Sequence, residues 1–273
     1  PGKKYKVVIE SHADEISWYV NYISDKGNIH VIRNGGSDQT IAASRRVNIH
    51  TPKGIVRGVF GWPAIHVRKG KDANLAPTLE NIFIDVGAKD KKEVEELGIH
   101  VGCVITYDDG YEEINKKCFI GRALDNRLGG YCIAEVARKL FEEKIKLPYS
   151  LYVVNSVQEE VGLRGAKIGA YNINPDWAII IDVTHAITPY TKDGDIAFEL
   201  GSGAAVAVGP GMHPFITGKI MESAKNIPYS LEVTPGNSGT DAWAIQTTKS
   251  GIGCALVSIP LKYMHSQVET VCM

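Results

Sequence analysis

No apolar run in this chain approaches the ~20 residues that a membrane-spanning helix needs. A basic excess is also missing, since 30 Lys and Arg stand against 31 Asp and Glu. That balance argues against a broad nucleic-acid surface, which depends on neutralising phosphates. The five cysteines form no C-x-x-C pair and their number is odd. Several sit in apolar patterns, so the expectation is reduced, mostly buried thiols in a cytoplasmic protein. H-E-x-x-H, G-x-S-x-G and phosphate-loop motifs are absent, and Gly201-Ser202-Gly203 lacks the third glycine of a dinucleotide fingerprint. There is no internal repeat, no low-complexity stretch and no charged-then-apolar leader. The chain opens at Pro1, enters a strand four residues later and stops at Met273 inside what reads as a new element, so it reads as trimmed at both ends.

What is present is the composition of a globular protein with a real core: 44% hydrophobic and 22% charged residues, over a length that suits one large domain or two ordinary ones. Tyr5–Ser11 reads as a buried strand. From about Trp18 to Asp108, short strand-like runs alternate with turn signals such as Asp25-Lys26-Gly27 and Asn34-Gly35-Gly36, the texture of a small barrel or sandwich. A short helix is expected at Asp90–Leu97, stopped by Gly98. From Ala123 onward strands and helices alternate. Asn126–Glu143 is an amphipathic helix on which Leu128, Cys132, Val136 and Leu140 step by four. Strands are expected at Ser150–Val157, Ala178–Asp182, Ala204–Val208, Leu231–Thr234 and Ala255–Ile259. Such alternation implies a layered α/β sheet. The first strand belongs with that sheet, which makes the middle segment an insertion. The expected division is a discontinuous domain of residues 1–17 and 109–273 and an inserted barrel of residues 18–108.

His12, Asp14, Asp125, Glu159, Glu160, Asp182 and His265 all fall near the ends of expected strands, where ligands bind in open α/β sheets. Singly, each has an ordinary reading as a cap, a loop acid or a solvated face. Taken together, converging carboxylates raise one another's pKa unless cations are present. Asp125, Glu160 and Asp182 bring three negative charges, which two divalent ions and a hydroxide balance. Carboxylates with two imidazoles suit zinc, cobalt or manganese better than calcium or magnesium.

The segments SHADE, GRALDNRLGG, VNSVQEEVGLRGA, IIIDVTHA, NSGTDA and SIPLKYMHS, in this order from about Lys6 to about Glu269, resemble the signature segments of the tetrahedral aminopeptidases of the glutamyl-aminopeptidase type, a family that includes cellulase-M-like and FrvX-like proteins. The resemblance implies a three-layer αβα peptidase domain with a mixed central sheet and an inserted PDZ-like β-barrel. It also implies a two-metal enzyme that removes the N-terminal residue from short peptides with a free N-terminus, and a hollow dodecamer built from dimers. By position, His12 and Asp182 would bind one ion and Glu160 and His265 the other, with Asp125 bridging them. Glu159 would be the general base for the bridging water, and Asp14 would orient the His12 ring. The chain departs from common family residues at Ala13, Asn126 and Gln267, none of them a proposed ligand. A metal-dependent deacylase or a glycan-active hydrolase of the same fold is the alternative. The preferred N-terminal residue and the native metal are not legible.

Overall fold

The computed structural model describes residues 3–70, 74–108 and 110–272. They form two compact units. One comprises Pro1–Glu15, Tyr111–Met264 and Val268–Met273, and the other Ile16–Gly110 and His265–Gln267.

The chain begins in the first unit with strand β1 (Lys6–His12), then builds the second. That unit contains β2 (Ser17–Ile23), β3 (Ile29–Asn34), the one-turn helix α1 (Gln39–Ala42), β4 (Arg46–Thr51), β5 (Gly54–Gly61), β6 (Phe83–Asp85), α2 (Lys91–Glu96) and β7 (Val104–Tyr107). The strands close into a barrel in the order β2-β3-β6-β5-β4-β7, with antiparallel neighbours. Its interior is filled by Trp18, Val20, Ile29, Val47, Ile49, Phe60, Ile84 and Ile105. The turn signals match the chemistry they promised. Gly27, with φ +78°, reverses the chain between β2 and β3, and the Asp90 carboxylate accepts the Glu93 amide at 2.9 Å to start α2.

The chain then returns to the first unit through β8 (Tyr111–Ile114), β9 (Cys118–Gly121), α3 (Leu124–Glu142), β10 (Ser150–Ser156), α4 (Arg164–Ile173), β11 (Trp177–His185), β12 (Ala204–Val208), α5 (Pro214–Ser223), β13 (Tyr229–Val233), α6 (Asp241–Ile245), β14 (Gly253–Leu261) and β15 (Glu269–Cys272). The six-stranded sheet runs β10-β1-β11-β14-β12-β13. It is mixed because β12 meets β14 antiparallel while the other neighbours are parallel. β1 and β11 are near-continuous apolar runs, as parallel strands must be when both faces are covered. One face, with Val7, Ile9, Ile179 and Ile181, meets Ile133 of α3. The other, with Val8, Ile180 and Leu256, packs on Ala166 and Ala170 of α4 and Ala242 and Ile245 of α6. The result is the expected αβα layering. Because β1, β10, β11 and β14 are parallel, their carboxyl ends share one edge, and the register sets His12 beside Ser156 and Asp182 beside Ser258.

Two findings depart from expectation. A second, three-stranded sheet, β15-β9-β8, has no counterpart in the strand–helix alternation read from the sequence. It also corrects the reading of the cysteines as free thiols. Cys118 and Cys272 lie opposite each other in the β9–β15 ladder and form a disulfide, whereas Cys103, Cys132 and Cys254 are free. The partners are 154 residues apart and adjacent only through strand pairing, so spacing along the chain could not reveal them.

Candidate metal centre

Backbone geometry brings most of the candidate ligands to that shared edge. His12 is the last residue of β1, and Asp182 lies within β11. Glu159 and Glu160 sit on the tight connection from β10 to α4, where the Glu159 carbonyl accepts the amides of Gly162 and Leu163 at 3.0 and 3.1 Å. Asp125 stands in the first turn of α3, but φ −80° and ψ 104° take it off the helix, and the Asp125–Asn126 peptide is cis.

The imidazole of His12 is 2% exposed, and its Nε2 faces three acids at once: Asp125 Oδ1 at 3.1 Å, Asp182 Oδ1 at 3.7 Å and Glu159 Oε2 at 4.0 Å. His12, Glu159 and Asp182 offer donor atoms within 4.8 Å of one another, and Asp125 and Glu160 do the same. On the far side of the ring, Nδ1 lies 3.1 Å from the backbone oxygen of Asp14 and 3.6 Å from its carboxylate. The ring is therefore turned by the Asp14 carbonyl more closely than by its side chain. The Asp14 carboxylate instead accepts the amides of Glu159 (3.1 Å) and Glu160 (3.3 Å), tying the loop that carries both glutamates to the end of β1.

Without cations this cluster can balance itself only with protons. Burial pushes Glu159 up to about 9, with the charge of Asp182 adding to it. Burial likewise lifts Asp182 to about 6, against the pull of hydrogen bonding to His12. Burial alone would lower His12, but hydrogen bonding to Asp125, Asp14 and Asp182 overrides it and holds the ring protonated far above its ordinary range. Burial opposes ionisation of Asp14, yet bonds to His12 and the Glu159 amide keep it below its usual value. All of these shifts except that of Asp14 express a demand for positive charge, which is what divalent cations supply. An imidazole among carboxylates is a donor set that suits zinc, cobalt or manganese, so the residues fit the ions the sequence suggested.

His265 has a different setting. It follows β14 with φ 62°, in the His265–Gln267 stretch that groups with the barrel unit. There a Cβ placed on Gly36 would come within 2.4 Å of His265 Nδ1, so only glycine leaves room for the ring.

Three further groups lie outside the ligand set read from the sequence. Glu269, at the start of β15 and 2% exposed, accepts the Asp125 amide at 3.1 Å through Oε2. Glu15 holds Arg122 Nε at 3.0 Å and Arg127 Nη2 at 3.4 Å, bracketing the turn that carries Asp125. Glu10 and Asp241 are both 1% exposed, and the Asp241 carboxylate accepts Ser156 Oγ at 2.9 Å. Burial, reinforced by the charge of Asp241, raises Glu10, and burial raises Asp241, so the pair retains a proton. A charged residue inside an otherwise apolar strand was the one available signal for Glu10. Nothing local marked Glu269.

The comparisons with known proteins agree with this geometry. Residues 1–273 match the family described as M42 glutamyl aminopeptidase. The chain is 36% identical to a lysyl aminopeptidase of Pyrococcus furiosus over 271 residues, which is 98% of this chain and 77% of that protein. Among solved structures, a TET aminopeptidase from a marine-sediment thaumarchaeon superposes with a TM-score of 0.93 at 28% identity, covering 100% of this chain and 78% of that one. Pyrococcus horikoshii TET1 peptidase, described as assembling into a tetrahedron or a large octahedral shell, gives 0.84 at 28% identity, covering 100% of this chain and 80% of that one. The chain thus spans about three quarters of the length of these relatives. On a family match along its whole length, joined to an α/β sheet whose carboxyl edge gathers these acids around a buried imidazole, the chain belongs to the M42 family of metallo-aminopeptidases.

Proposed function

We propose that this aminopeptidase works with two divalent ions and removes the N-terminal residue of short peptides. His12 and Asp182 would hold one ion. Asp125 would be shared, and Glu160 and His265 would complete the set for the other. Zinc and cobalt suit the donors best, with manganese also compatible. When bound, such ions polarise the scissile carbonyl and lower the pKa of water.

The remaining work belongs to the chain. Glu159 takes a proton from the attacking water and returns it to the departing amine, a general-base and then general-acid role. A carboxyl group that burial lifts to about 9 in the absence of cations has an affinity for protons that nearby cations moderate toward neutrality. Asp14 keeps the Glu159–Glu160 loop at the site through the two amides it accepts. A free N-terminal amine on the substrate would bind at the open side of the site, which limits cleavage to the first residue. By analogy with the assemblies described for TET1 peptidase, copies of the chain would associate into a closed shell of twelve.

The observation that carries this reading is the meeting of His12 Nε2 with Asp125, Glu159 and Asp182 within 4.0 Å. The test is release of p-nitroaniline from aminoacyl anilides before and after metal stripping, with metal content measured per chain. Activity should vanish on stripping and return with about two ions per chain. Glu159→Gln should lower kcat by ~100-fold or more while retaining its metal. Undiminished turnover after stripping would refute the proposal. Faster cleavage of N-acylated than of free-amine substrates would favour the deacylase alternative.

A further inference from the structure

We propose that the Cys118–Cys272 disulfide is a redox-sensitive lock on the metal centre: its two-electron reduction loosens β15, frees the turn that carries Asp125 and weakens metal binding. The inference rests on the two-ion reading and deepens it by naming a way to regulate that same site. A short series of contacts makes the connection. β9 and β15 pair Gly121 with Glu269, Ile120 with Thr270, Phe119 with Val271 and Cys118 with Cys272. The disulfide closes one end of this ladder, and Glu269 stands at the other. There Glu269, 2% exposed, accepts the Asp125 amide at 3.1 Å through Oε2. β9 itself leads into Asp125 through Arg122, Ala123 and Leu124. Both strands that the disulfide joins therefore reach the same candidate ligand, one through the backbone and the other through a carboxylate.

Little else fixes that ladder. Beyond it, the main-chain pairing of β15 among the described residues is limited to Lys262 and Thr270, which exchange hydrogen bonds of 2.9 and 3.0 Å. So short a pairing specifies its register weakly, and a slip of one residue turns every side chain to the opposite face. A slip would withdraw the Glu269 carboxylate and leave the Asp125 amide a buried donor without its acceptor. The cross-link forbids it by pinning Cys272 opposite Cys118. Both cysteines are half-buried rather than sealed in the core, so a thiolate can reach the bond. Cys103, Cys132 and Cys254 are free, which leaves this disulfide as the bond a reductant acts on among the described residues. The reductant is a dithiol. One of its thiolates attacks a cysteine sulfur and breaks the S–S bond, and the second displaces the first cysteine from the mixed disulfide. The chain gains two thiols while the dithiol becomes a disulfide.

The test compares oxidised protein with protein reduced by dithiothreitol, which is removed under nitrogen before zinc is added. Zinc affinity is read by competition with a chelator. Hydrogen exchange at the Asp125 amide is followed by mass spectrometry on the metal-free forms. Reduction should weaken zinc binding ~10-fold or more and speed exchange at Asp125. Cys118→Ser/Cys272→Ser, which has no thiol pair to hold an ion, should match the reduced form. In Glu269→Ala the contact is already gone, so reduction should cost little further affinity. Equal zinc affinity of the two wild-type forms overturns the inference without recourse to any variant. So does unchanged exchange at Asp125, even where reduction lowers the melting temperature, because the disulfide is then a staple and no more. A full further loss of affinity on reducing Glu269→Ala overturns the route through Glu269. Failure of both wild-type forms to bind zinc, cobalt or manganese would sink the two-ion reading separately, since the exchange comparison needs no ion.

Discussion

At the scale of single residues, the site is an unfavourable collection of charge that cations turn into a favourable one. This sets a pH dependence whose sign follows from Glu159 and Asp182. In the metal-free fold both carboxyls hold protons that the unfolded chain releases, with values of about 9 and about 6. Their contribution to stability is therefore complete below the unfolded carboxylate range near pH 4, and it is lost as pH rises through 6 and then 9. Thermal melting of stripped protein should fall steadily between pH 5 and pH 9, and added zinc or cobalt should flatten that slope. A stripped protein that gains stability over this range would contradict the charge assignment. Glu269 makes a second prediction. Glu269→Ala leaves the Asp125 amide buried without its acceptor, so metal affinity, read by competition with a chelator, should drop ~10-fold or more. The contrast between these residues shows what the sequence could reveal. His12, Asp125, Glu159, Glu160 and Asp182 were legible only as a set: each alone reads as a cap or loop acid, and their order within segments resembling those of one family is what singled them out. Glu269 looked like any loop acid, because its importance lies in a hydrogen bond across 144 residues that no local pattern encodes.

At the scale of elements, α3 meets the sheet at a close approach beside the candidate site. A Cβ on Gly129 would stand 2.5 Å from both Asn126 Oδ1 and Ser11 Oγ and 2.8 Å from the Ile181 carbonyl. Asn126 is already committed there, donating to Ile181 O at 2.8 Å and accepting the Gly129 amide at 2.9 Å. Gly129→Ala must push the first turn of α3, and Asp125 with it, off the sheet. A loss of ~1–3 kcal/mol in chemical denaturation, together with weakened metal binding, is expected. The three-stranded sheet gives an independent prediction. Reduction of wild-type protein should lower its melting temperature, and Cys272→Ser should reproduce that loss and remove the sensitivity to reductant, an effect of ~2–5 kcal/mol. Here too legibility had limits. The four-residue step in α3 identified the helix but overstated its burial, since Ile133 is covered while Val136 is 43% exposed. The stripe lines a cleft of about 310 Å³ between α3 and the sheet rather than a closed core. Periodicity reports which face is apolar; how much of that face is covered depends on other parts of the fold. β8, β9 and β15 were missed because four-residue strands fall below the length at which alternation can be told from chance.

At the scale of the whole molecule, chain order and sheet order disagree, and the disagreement determines how the two units fold. β1 comes first in the chain, before the barrel, yet it sits between β10 and β11 inside the six-stranded sheet. Seven register pairs join it to β10 and four to β11, so β10 has no partner in this sheet, and β11 has only β14, until residues from opposite sides of the barrel segment meet. The barrel has no such dependence. Its buried core lies wholly between Trp18 and Tyr107, and its strands close on themselves without an edge. A fragment of residues 16–110 should therefore melt cooperatively on its own, with dispersed amide resonances. A fragment of residues 111–273 should not fold, because the loss of β1 exposes two strand edges and takes Val7, Val8 and Ile9 from the core. Supplying residues 1–15 as a separate peptide should restore structure to it in a concentration-dependent way, read by circular dichroism. The restored complex should bind metal, because the peptide brings back His12 together with the Asp14 carboxylate that ties down the Glu159–Glu160 loop. Cooperative folding of residues 111–273 without the peptide would show that β1 is an addition to a sheet already formed rather than the strand that joins its halves.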